Sequence, residues 1–382
     1  MNCHLCNGDS LQELGYVGIK PSSITSEPKL CELPAKIYYC QDCDHLQKVY
    51  SRIDLSVIDL MYQSYDAYNV SGGNEQLIFS GDENPKTRGY QAIQKCISYL
   101  PETGKLLDIG TGNGTALKSA SKLLPKWSLF AFDINDKYRD SVLKIPGVSD
   151  FYSGNFADIP FQKFDLIILW HSLEHIDKPA EYLANLKDYL TENGVILLQV
   201  PDVQRQPFDL AVIDHCSHFT GSTFNKLCQY AGFTVIIDGQ DWTHNCLTLL
   251  LKPSDTLEVN ESYINLKSLP PDTYFHWLNS AVQEFAQSVI GIDYAIFGTS
   301  IAGIWLSSQL GKPPIYFIDE DESRRGNKIS NIPIITPQEL SQDIDIVMAF
   351  THKTGHNIGL RLKEQYINCR SSRFILSSPL VY

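Results

Sequence analysis

The sequence lacks any long apolar segment. No stretch of its 382 residues approaches the roughly 18–20 consecutive apolar residues that a bilayer-spanning helix requires. The first residues, MNCHLCNGDS, have no basic start followed by an apolar core, so they do not resemble a secretory signal peptide. Both absences predict a cytoplasmic protein.

Positive charge is also scarce. The chain has 31 Lys and Arg against 44 Asp and Glu, and its formal net charge of −13 disfavours binding to nucleic acid or to an anionic membrane. Hydrophobic residues make up 43% and charged residues 20%, values that are typical of packed globular domains. At this length, two or three domains are expected.

Most cysteines are isolated, but four form two Cys-x-x-Cys pairs near the N-terminus. The pairs are Cys3 with Cys6 and Cys40 with Cys43, and 33 residues separate them. In a reducing compartment this pattern favours a metal site over a disulfide framework. Four thiolates match the tetrahedral coordination of a structural zinc ion, with a redox pair or a chance spacing as the alternatives. We therefore predict a zinc-binding module over residues 1–60.

Short apolar runs alternate with helical patterns along the chain, as in parallel sheets covered on both faces. Strands are predicted at 105–110, 128–134, 164–170 and 194–200, with helices at 86–100, 115–124 and 177–190. After a polar break at 252–272, a helix is predicted at 273–290, with strands at 294–300, 314–319, 345–350 and 373–378. The predicted fold class is α/β, with a central doubly wound domain and a second, smaller Rossmann-like domain at the C-terminal end.

A glycine loop follows the first of these strands, in the segment KLLDIGTGNGTAL. Gly110 and Gly112 allow the backbone to turn sharply and to approach a ligand without a Cβ clash. The glycine spacing differs from the dinucleotide-binding fingerprint. Asp108 would face a pyrophosphate poorly, but it suits a cofactor that carries a sulfonium and an ammonium group. Asp133, at the end of the next strand, would accept two hydrogen bonds from a ribose diol.

Together with the stretch WHSLEHIDKP (170–179), these features make residues 86–200 resemble a class I S-adenosylmethionine-dependent methyltransferase. The resemblance implies that Gly110 and Gly112 lie under the methionine part of the cofactor and that Asp133 holds its ribose. A nucleotide-binding α/β domain for another ligand is the alternative.

The same resemblance also implies which residues lie beside the adenine ring and which segment covers the cofactor. It implies that Asn155 or Phe156 flanks the adenine ring. Tyr65 and Tyr68 lie in a tyrosine-rich segment similar to one that covers the cofactor in this family, and core or linker packing is the alternative.

Three polar residues follow the strand at 164–170. His171 stands at a strand end, where ligands bind in open α/β sheets, so it would touch the cofactor or the substrate. Glu174 and His175 would only begin the next helix. Their spacing is no metal-ligand set without a further partner.

The order of the parts is similar to that of the nucleotide-sugar C-methyltransferases, which methylate a deoxysugar carbon beside a keto group. This resemblance divides the chain into a zinc-binding module (1–60), a methyltransferase domain (61–255) and a C-terminal α/β substrate-binding domain (256–382). It implies a nucleotide-linked sugar as the substrate and a role in polysaccharide or deoxysugar biosynthesis. In the last domain, Arg324, Arg325 and Lys328 would contact phosphate or form a solvated charged turn.

The catalytic segment of that family is a Tyr-His-Glu-His run followed by an aromatic residue, and residues 215–219 of this chain (HCSHF) match it in part. His218 matches the final histidine and is the predicted base, which removes an α-proton before an enediolate attacks the methyl group. His215 would orient it or share the proton, and Asp214 would polarise one imidazole. Alternatively, these histidines cap the following helix or satisfy buried groups. The alternative functions are an O- or N-methyltransferase for a related sugar or small molecule and a non-catalytic zinc-bearing scaffold.

Overall fold

A computed structural model describes residues 1–63, 77–78, 86–239, 242–243, 245–254, 269–340 and 344–380, with backbone only for Gln63, residues 77–78 and Asp158. The predicted cofactor contacts Tyr65 and Tyr68 lie outside the described residues. None of the described helices is long and apolar enough to cross a membrane.

The N-terminal region forms two small antiparallel sheets and one helix. In chain order, its elements are β1 (Leu11–Tyr16), β2 (Ser23–Ile24), β3 (Leu30–Cys31), β4 (Lys36–Cys40), β5 (Leu46–Gln47) and α1 (Arg52–Gln63). β4 pairs with both β1 and β5, whereas β2 pairs with β3. The second cysteine pair therefore lies in the turn that joins β4 to β5.

The central region contains a seven-stranded sheet. In chain order, its elements are β6 (Leu77–Ile78), β7 (Lys86–Thr87), α2 (Arg88–Cys96), β8 (Lys105–Ile109), α3 (Thr115–Leu123), β9 (Ser128–Asp133), α4 (Arg139–Val142), β10 (Val148–Ser153), β11 (Phe164–Trp170), α5 (Pro179–Asn185), β12 (Leu190–Pro201), β13 (Ser217–His218), α6 (Gly221–Tyr230), β14 (Phe233–Asp238) and β15 (Cys246–Pro253). The strand order is β10-β9-β8-β11-β12-β15-β14; β15 runs antiparallel to both of its neighbours, and all other pairs in this sheet are parallel.

The strand order reverses direction next to β8. The chain moves outward from β8 through β9 to β10, and then returns to the other side of β8 with β11. The carboxyl ends of β8 and β11 therefore border a topological switch point, which is where open α/β sheets bind their ligands. The apolar run at the middle of β11, residues 166–169, is fully buried, which confirms that both sheet faces are covered.

β13 is separate from the central sheet, because it extends the sheet of the N-terminal region. Ser217 pairs with Gln47 and His218 pairs with Leu46, giving the strand order β1-β4-β5-β13. The segment with the predicted catalytic histidines is thus an edge strand of the sheet that carries the second cysteine pair.

The C-terminal region forms a second α/β sheet. In chain order, its elements are α7 (Asp272–Ser288), β16 (Tyr294–Phe297), α8 (Ile301–Gln309), β17 (Tyr316–Ile318), β18 (Lys328–Ile329), β19 (Ile332–Ile335), β20 (Asp345–Met348), α9 (His352–Gln365) and β21 (Phe374–Ile375). The strand order is β18-β19-β17-β16-β20-β21, parallel except at β18.

The N-terminal region packs on this C-terminal unit. One buried cluster contains residues of the N-terminal region and of the C-terminal unit, together with Phe208 of the central region. The rings of Phe208 and Trp305, which both belong to it, meet edge to face at 6.2 Å. The Gln309 carboxamide accepts hydrogen bonds from the backbone N–H groups of Ile19 and Lys20, each at 2.9 Å. Trp305 Nε1 donates to the backbone carbonyl of Ser22 at 3.1 Å. These contacts fix the N-terminal region against α8 of the C-terminal unit.

Candidate functional site

The glycine loop lies at the switch point, directly after β8. Gly110 and Gly112 have φ values of +75° and +49°, which glycine adopts without steric cost. A Cβ atom on Gly110 would lie 2.7 Å from the Cβ atom of Ser172, in the loop after β11. The backbone N–H of Gly112 donates to Asp133 Oδ2 at 2.8 Å. Folding therefore brings together three of the residues predicted to bind the cofactor.

Two carboxylates flank this loop. Asp108 is buried and accepts a hydrogen bond from the Thr111 hydroxyl at 2.7 Å, which holds the loop against the end of β8. Burial raises the pKa of Asp133, and backbone N–H groups such as that of Gly112 offset this effect only in part. The backbone N–H groups of Gly112 and Asn135 donate to different oxygens of Asp133, so each oxygen keeps a lone pair for a diol.

Asn155 and Phe156 lie on the loop after β10, next to Asp133. Asn155 Oδ1 accepts from the backbone N–H of Ala157 at 3.0 Å, as an N-cap does. The Phe156 ring lies 5.3 Å from the Phe132 ring and packs in an aromatic cluster. The loop is thus adjacent to the predicted ribose position, with both side chains engaged in protein contacts.

His171 lies on the opposite side of the glycine loop, directly after β11. Its φ of +53° is unusual for a residue other than glycine, and backbone strain of this kind is concentrated at functional sites. Its Nδ1 is 3.4 Å from Glu174 Oε1, and its Nε2 is 3.7 Å from the sulfur of Cys246. Burial alone would lower the pKa of His171, but Cys246 and Glu174 together raise it to about 10. Arg88 Nη1 also contacts the Cys246 sulfur, at 3.5 Å. The sequence analysis missed both Cys246 and Arg88.

The two predicted catalytic histidines meet at one carboxylate, which the sequence analysis also missed. Asp209 Oδ1 lies 2.7 Å from His215 Nδ1, and Asp209 Oδ2 lies 2.6 Å from His218 Nδ1. All three side chains are buried. The two imidazoles lower the pKa of Asp209 despite its burial, so this carboxylate is ionised.

The contacts of His218 do not suit the base that was predicted. The side chain is 0% exposed. Its Nδ1 is bound to Asp209, and its Nε2 lies 2.5 Å from Lys48 Nζ. Burial and the neighbouring ammonium lower the pKa of His218 to about 4. No nitrogen remains to take a proton from a substrate, so His218 is placed to support its neighbours.

His215 has the free nitrogen that His218 lacks. Its Nδ1 is held by Asp209, and no hydrogen bond to its Nε2 is found among the described residues. Burial alone would lower the pKa of His215, but the charge and hydrogen bond of Asp209, together with Glu174 and Asp214, raise it. The geometry therefore favours His215 as the proton acceptor.

Asp214 polarises neither of these two imidazoles directly. Its carboxylate accepts from the backbone N–H of Ser26 at 2.8 Å and from the Ser26 hydroxyl. Its Oδ2 is 3.6 Å from His175 Nδ1. The prediction that Asp214 polarises one of the two catalytic imidazoles is corrected in favour of Asp209, because the Asp214 carboxylate is directed to the β2–β3 hairpin.

His175 and Glu174 adjoin His215. The rings of His175 and His215 lie edge to face with centroids 4.7 Å apart, and the Tyr62 hydroxyl is 2.8 Å from His175 Nδ1. Glu174 is 1% exposed, and in the described part of the chain neither of its side-chain oxygens has a hydrogen-bond partner. One ligand atom from each of Glu174, His175 and His215 lies within 4.8 Å of the others. His215 is thus the third group at this point, and the spacing of Glu174 and His175 in the chain did not reveal it.

The four N-terminal cysteines converge on one point. The sulfurs of Cys3 and Cys43 are 3.5 Å apart, those of Cys6 and Cys40 are 3.7 Å apart, and all four lie within 4.8 Å of one another. A tetrahedral zinc ion with Zn–S bonds of about 2.3 Å requires sulfurs about 3.8 Å apart. The backbone N–H of Leu5 also donates to the Cys3 sulfur, at 3.4 Å. The residues present fit a zinc ion.

Two of the three basic residues predicted as phosphate contacts, Arg324 and Arg325, are engaged within the protein. Arg324 contacts the Asp319 carboxylate at 3.2 Å, and Arg325 contacts Glu339 at 2.6 Å. Lys328 is exposed. The contacts of the two arginines support the charged-turn alternative over a phosphate site.

Residues 86–237 match a family model described as a methyltransferase domain. This range contains the glycine loop, Asp133 and the Asp209–His215 pair. No curated protein sequence matches the chain.

Solved structures with a similar fold include an S-adenosylmethionine-dependent methyltransferase from Clostridium acetobutylicum (13% identity, 52% of this chain and 97% of that chain, TM-score 0.37). Human N-acetylserotonin methyltransferase in complex with SAM is also similar (19% identity, 44% and 52%, TM-score 0.37). So is a Haloferax volcanii methyltransferase in complex with its Trm112 activator (14% identity, 52% and 97%, TM-score 0.40). At these TM-scores the likenesses say nothing about substrate.

The family match and the loop geometry coincide in the same part of the chain. Residues 86–237 therefore form a class I S-adenosylmethionine-dependent methyltransferase domain, and the chain that contains them is a methyltransferase.

Proposed function

We propose that this enzyme transfers a methyl group from S-adenosylmethionine to a carbon atom of a nucleotide-linked keto-deoxysugar. The observation that carries the proposal is the Asp209–His215 pair beside the cofactor crevice. Asp209 Oδ1 lies 2.7 Å from His215 Nδ1, which leaves Nε2 as a proton acceptor. A base is needed for methylation of carbon, because a carbon next to a ketone becomes nucleophilic only after it loses a proton.

The cofactor would be held by residues of the switch point. Gly110 and Gly112 let the backbone approach its methionine part, and Asp108 favours its positive charge. Asp133 accepts hydrogen bonds from the ribose. Bound S-adenosylmethionine supplies an electrophilic methyl group. Asn155 and Phe156 would flank the adenine ring. Tyr65 and Tyr68 would cover the bound cofactor, and His171 would lie on its sulfonium side.

His215 would move the proton. Its Nε2 takes the α-proton of the substrate, and the electrons of the broken C–H bond pass into an enediolate. The enediolate carbon then forms the new C–C bond as the S–CH₃ bond breaks, which leaves a neutral thioether. Asp209 stabilises the imidazolium that forms, in the way that a carboxylate supports a histidine base in other enzymes. Burial of the pair strengthens this interaction.

We further propose that Cys3, Cys6, Cys40 and Cys43 bind a structural zinc ion. Four thiolates leave no open coordination position, so the ion would take no part in the reaction. It would hold the turn between β4 and β5, and β5 pairs with the histidine strand β13. Residues 1–60, 61–255 and 256–382 would then act as the zinc module, the methyl-transfer domain and the substrate-binding domain.

The test uses a panel of nucleotide-linked keto-deoxysugars, each incubated with the enzyme and methyl-labelled S-adenosylmethionine and analysed by mass spectrometry. A sugar deuterated at the α-carbon should lose its deuterium as it gains the label. Label gained without loss of deuterium would assign the methyl group to oxygen or nitrogen. Absence of labelling across the panel would overturn the sugar substrate.

The proposed role of His215 is tested by a substitution at that position. Asn at this position keeps an amide that can donate to Asp209, but it has no basic nitrogen. His215→Asn should lower turnover by about 10²-fold to 10⁴-fold, the usual contribution of a general base. The exposed His276 in α7, replaced by Asn, serves as the matched control and should leave turnover unchanged. Wild-type turnover in His215→Asn would remove His215 from the mechanism.

A further inference from the structure

Lys48 reaches the histidine cluster from the N-terminal region. It directly follows β5, and its backbone N–H donates to the carbonyl of Cys216 at 2.9 Å. The pairing of Gln47 with Ser217 continues the same ladder. The Lys48 side chain therefore starts from a backbone that is fixed to the strand carrying His218.

The Lys48 side chain is buried without an ion-pair partner. It is 1% exposed, and no carboxylate of the described residues lies within 4.0 Å of its Nζ. Nζ instead lies 2.5 Å from His218 Nε2 and 3.0 Å from the carbonyl oxygen of His215. Burial lowers the pKa of Lys48 to about 7, although Asp209 opposes this shift. A buried amine is costly unless it is hydrogen-bonded, so its two partners identify where it acts.

The hydrogen bonds of His218 follow from its two partners. An ionised carboxylate only accepts hydrogen bonds, so the imidazole proton of His218 is on Nδ1 and points to Asp209 Oδ2, at 2.6 Å. Nε2 then presents its lone pair to Lys48 Nζ. Asp209 uses its other oxygen for His215 Nδ1, at 2.7 Å.

We infer that Lys48 is a positioning residue: by donating to Nε2 it keeps His218 singly protonated, and so leaves the negative charge of Asp209 to orient the proton-accepting face of His215. Without the Lys48 donor, the Nε2 lone pair of His218 is free to take a proton, and the ionised Asp209 carboxylate favours the imidazolium that forms. Two histidines would then compete for the charge of one carboxylate, and His215 would lose part of the interaction that orients it.

This inference gives the N-terminal region a part in the reaction beyond folding. Lys48 lies five residues after Cys43 in the chain. The turn that contains Cys43 therefore leads directly into β5, and Lys48 follows at the end of that strand. The catalytic consequence rests on the proposed function, whereas the protonation state of His218 does not.

The first experiment needs no substrate. Protein labelled with ¹⁵N in its histidines reports the protonated nitrogen of each ring by NMR, and a His218→Asn variant assigns the His218 signals. In the wild-type protein at neutral pH, His218 should be a neutral Nδ1–H tautomer. In Lys48→Met the doubly protonated form of His218, with a proton on both nitrogens, should appear. An Nε2–H tautomer in the wild-type protein, or an unchanged His218 spectrum in folded Lys48→Met, would overturn the inference.

The second experiment measures turnover on the labelled substrate. Lys48→Met should lower kcat by about 10-fold to 100-fold, as expected for the loss of one hydrogen bond to a charged group, with S-adenosylmethionine affinity unchanged within about twofold. Lys36→Met is the control, because Lys36 pairs with Glu13 at the surface of the same sheet. A wild-type kcat in Lys48→Met, or equal losses in both variants, would refute a positioning role. If no sugar is methylated, the proposed function fails and the NMR experiment still decides the inference.

Discussion

Replacement of Asp209 by Asn is the sharpest test of the proposed base. The side chain keeps its shape, but only its oxygen can accept a proton. In the wild-type protein, the Asp209 carboxylate accepts two imidazole N–H groups, at 2.7 Å and 2.6 Å. After the change, one of the two rings must adopt the other tautomer. The remaining neutral hydrogen bond is also weaker than the charge-assisted bond that it replaces.

The size of the effect follows from these contacts. A hydrogen bond to a charged group contributes about 1.5–3 kcal/mol, which corresponds to a factor of about 10–150 in rate. The wrong tautomer of His215 adds to this, because the same change in an aspartate–histidine pair of a serine protease lowers kcat by about 10⁴-fold. We expect kcat of Asp209→Asn to fall by about 10²-fold to 10⁴-fold, within the bounds of these two effects.

The pH dependence of the residual activity carries a second signature. Asp209 raises the pKa of His215. Removal of its charge lowers that pKa, so His215 stays deprotonated to lower pH. The acid limb of the kcat profile should therefore move to lower pH while its plateau falls. Turnover of the labelled sugar, measured from pH 4 to pH 9, tests both effects.

A matched variant separates this effect from general disturbance of the buried cluster. Asp214 is equally buried, but its carboxylate binds Ser26. Asp214→Asn should lower kcat by less than about 10-fold, since it removes no hydrogen bond from His215. Equal losses in the two variants, or an acid limb that stays in place in Asp209→Asn, would refute the assignment.

Two further predictions concern the cofactor loop and the metal. Gly110→Ala places a Cβ 2.7 Å from the Ser172 Cβ, so calorimetry should show at least about a 10-fold loss of S-adenosylmethionine affinity, since 1.4 kcal/mol already gives that factor. Gly291→Ala, at a nearly equal φ of +74° with nothing near its Cβ, should cost stability only, and equal cofactor affinity in both variants would count against the loop. Metal analysis of the purified chain should find one zinc ion, lost in Cys40→Ser and retained in Cys31→Ser. A wild-type protein without zinc would contradict the metal site.

Part of the candidate site could be predicted because its signals are local. The glycine loop joins a strand to a helix within a few residues, and only a residue without a Cβ fits against Ser172. Asp133 ends the adjacent strand, and its carboxylate reaches Gly112 as expected from the strand order. The cysteine spacing likewise predicted a set of four sulfurs that does converge.

The histidine cluster could not be predicted in the same way. β13 has two residues, too few for any periodic pattern, and the sheet that it joins is formed by residues far away in the chain. Asp209 stands in a short 3-10 helix and carries no motif. The family pattern drew attention to His215 and His218 and predicted His218 as the base, whereas the hydrogen bonds leave a free nitrogen on His215.

The sequence by itself determined the α/β class, the glycine loop after β8, the carboxylate at the end of β9 and the four cysteines, because each depends on residues that are close in the chain. Only the tertiary structure decided which histidine has a free nitrogen. That outcome depends on contacts between Lys48, His218, Asp209 and His215, which lie up to 170 residues apart. Burial turns those contacts into a defined set of proton positions, because a polar group removed from water must be paired with the partner that the fold supplies.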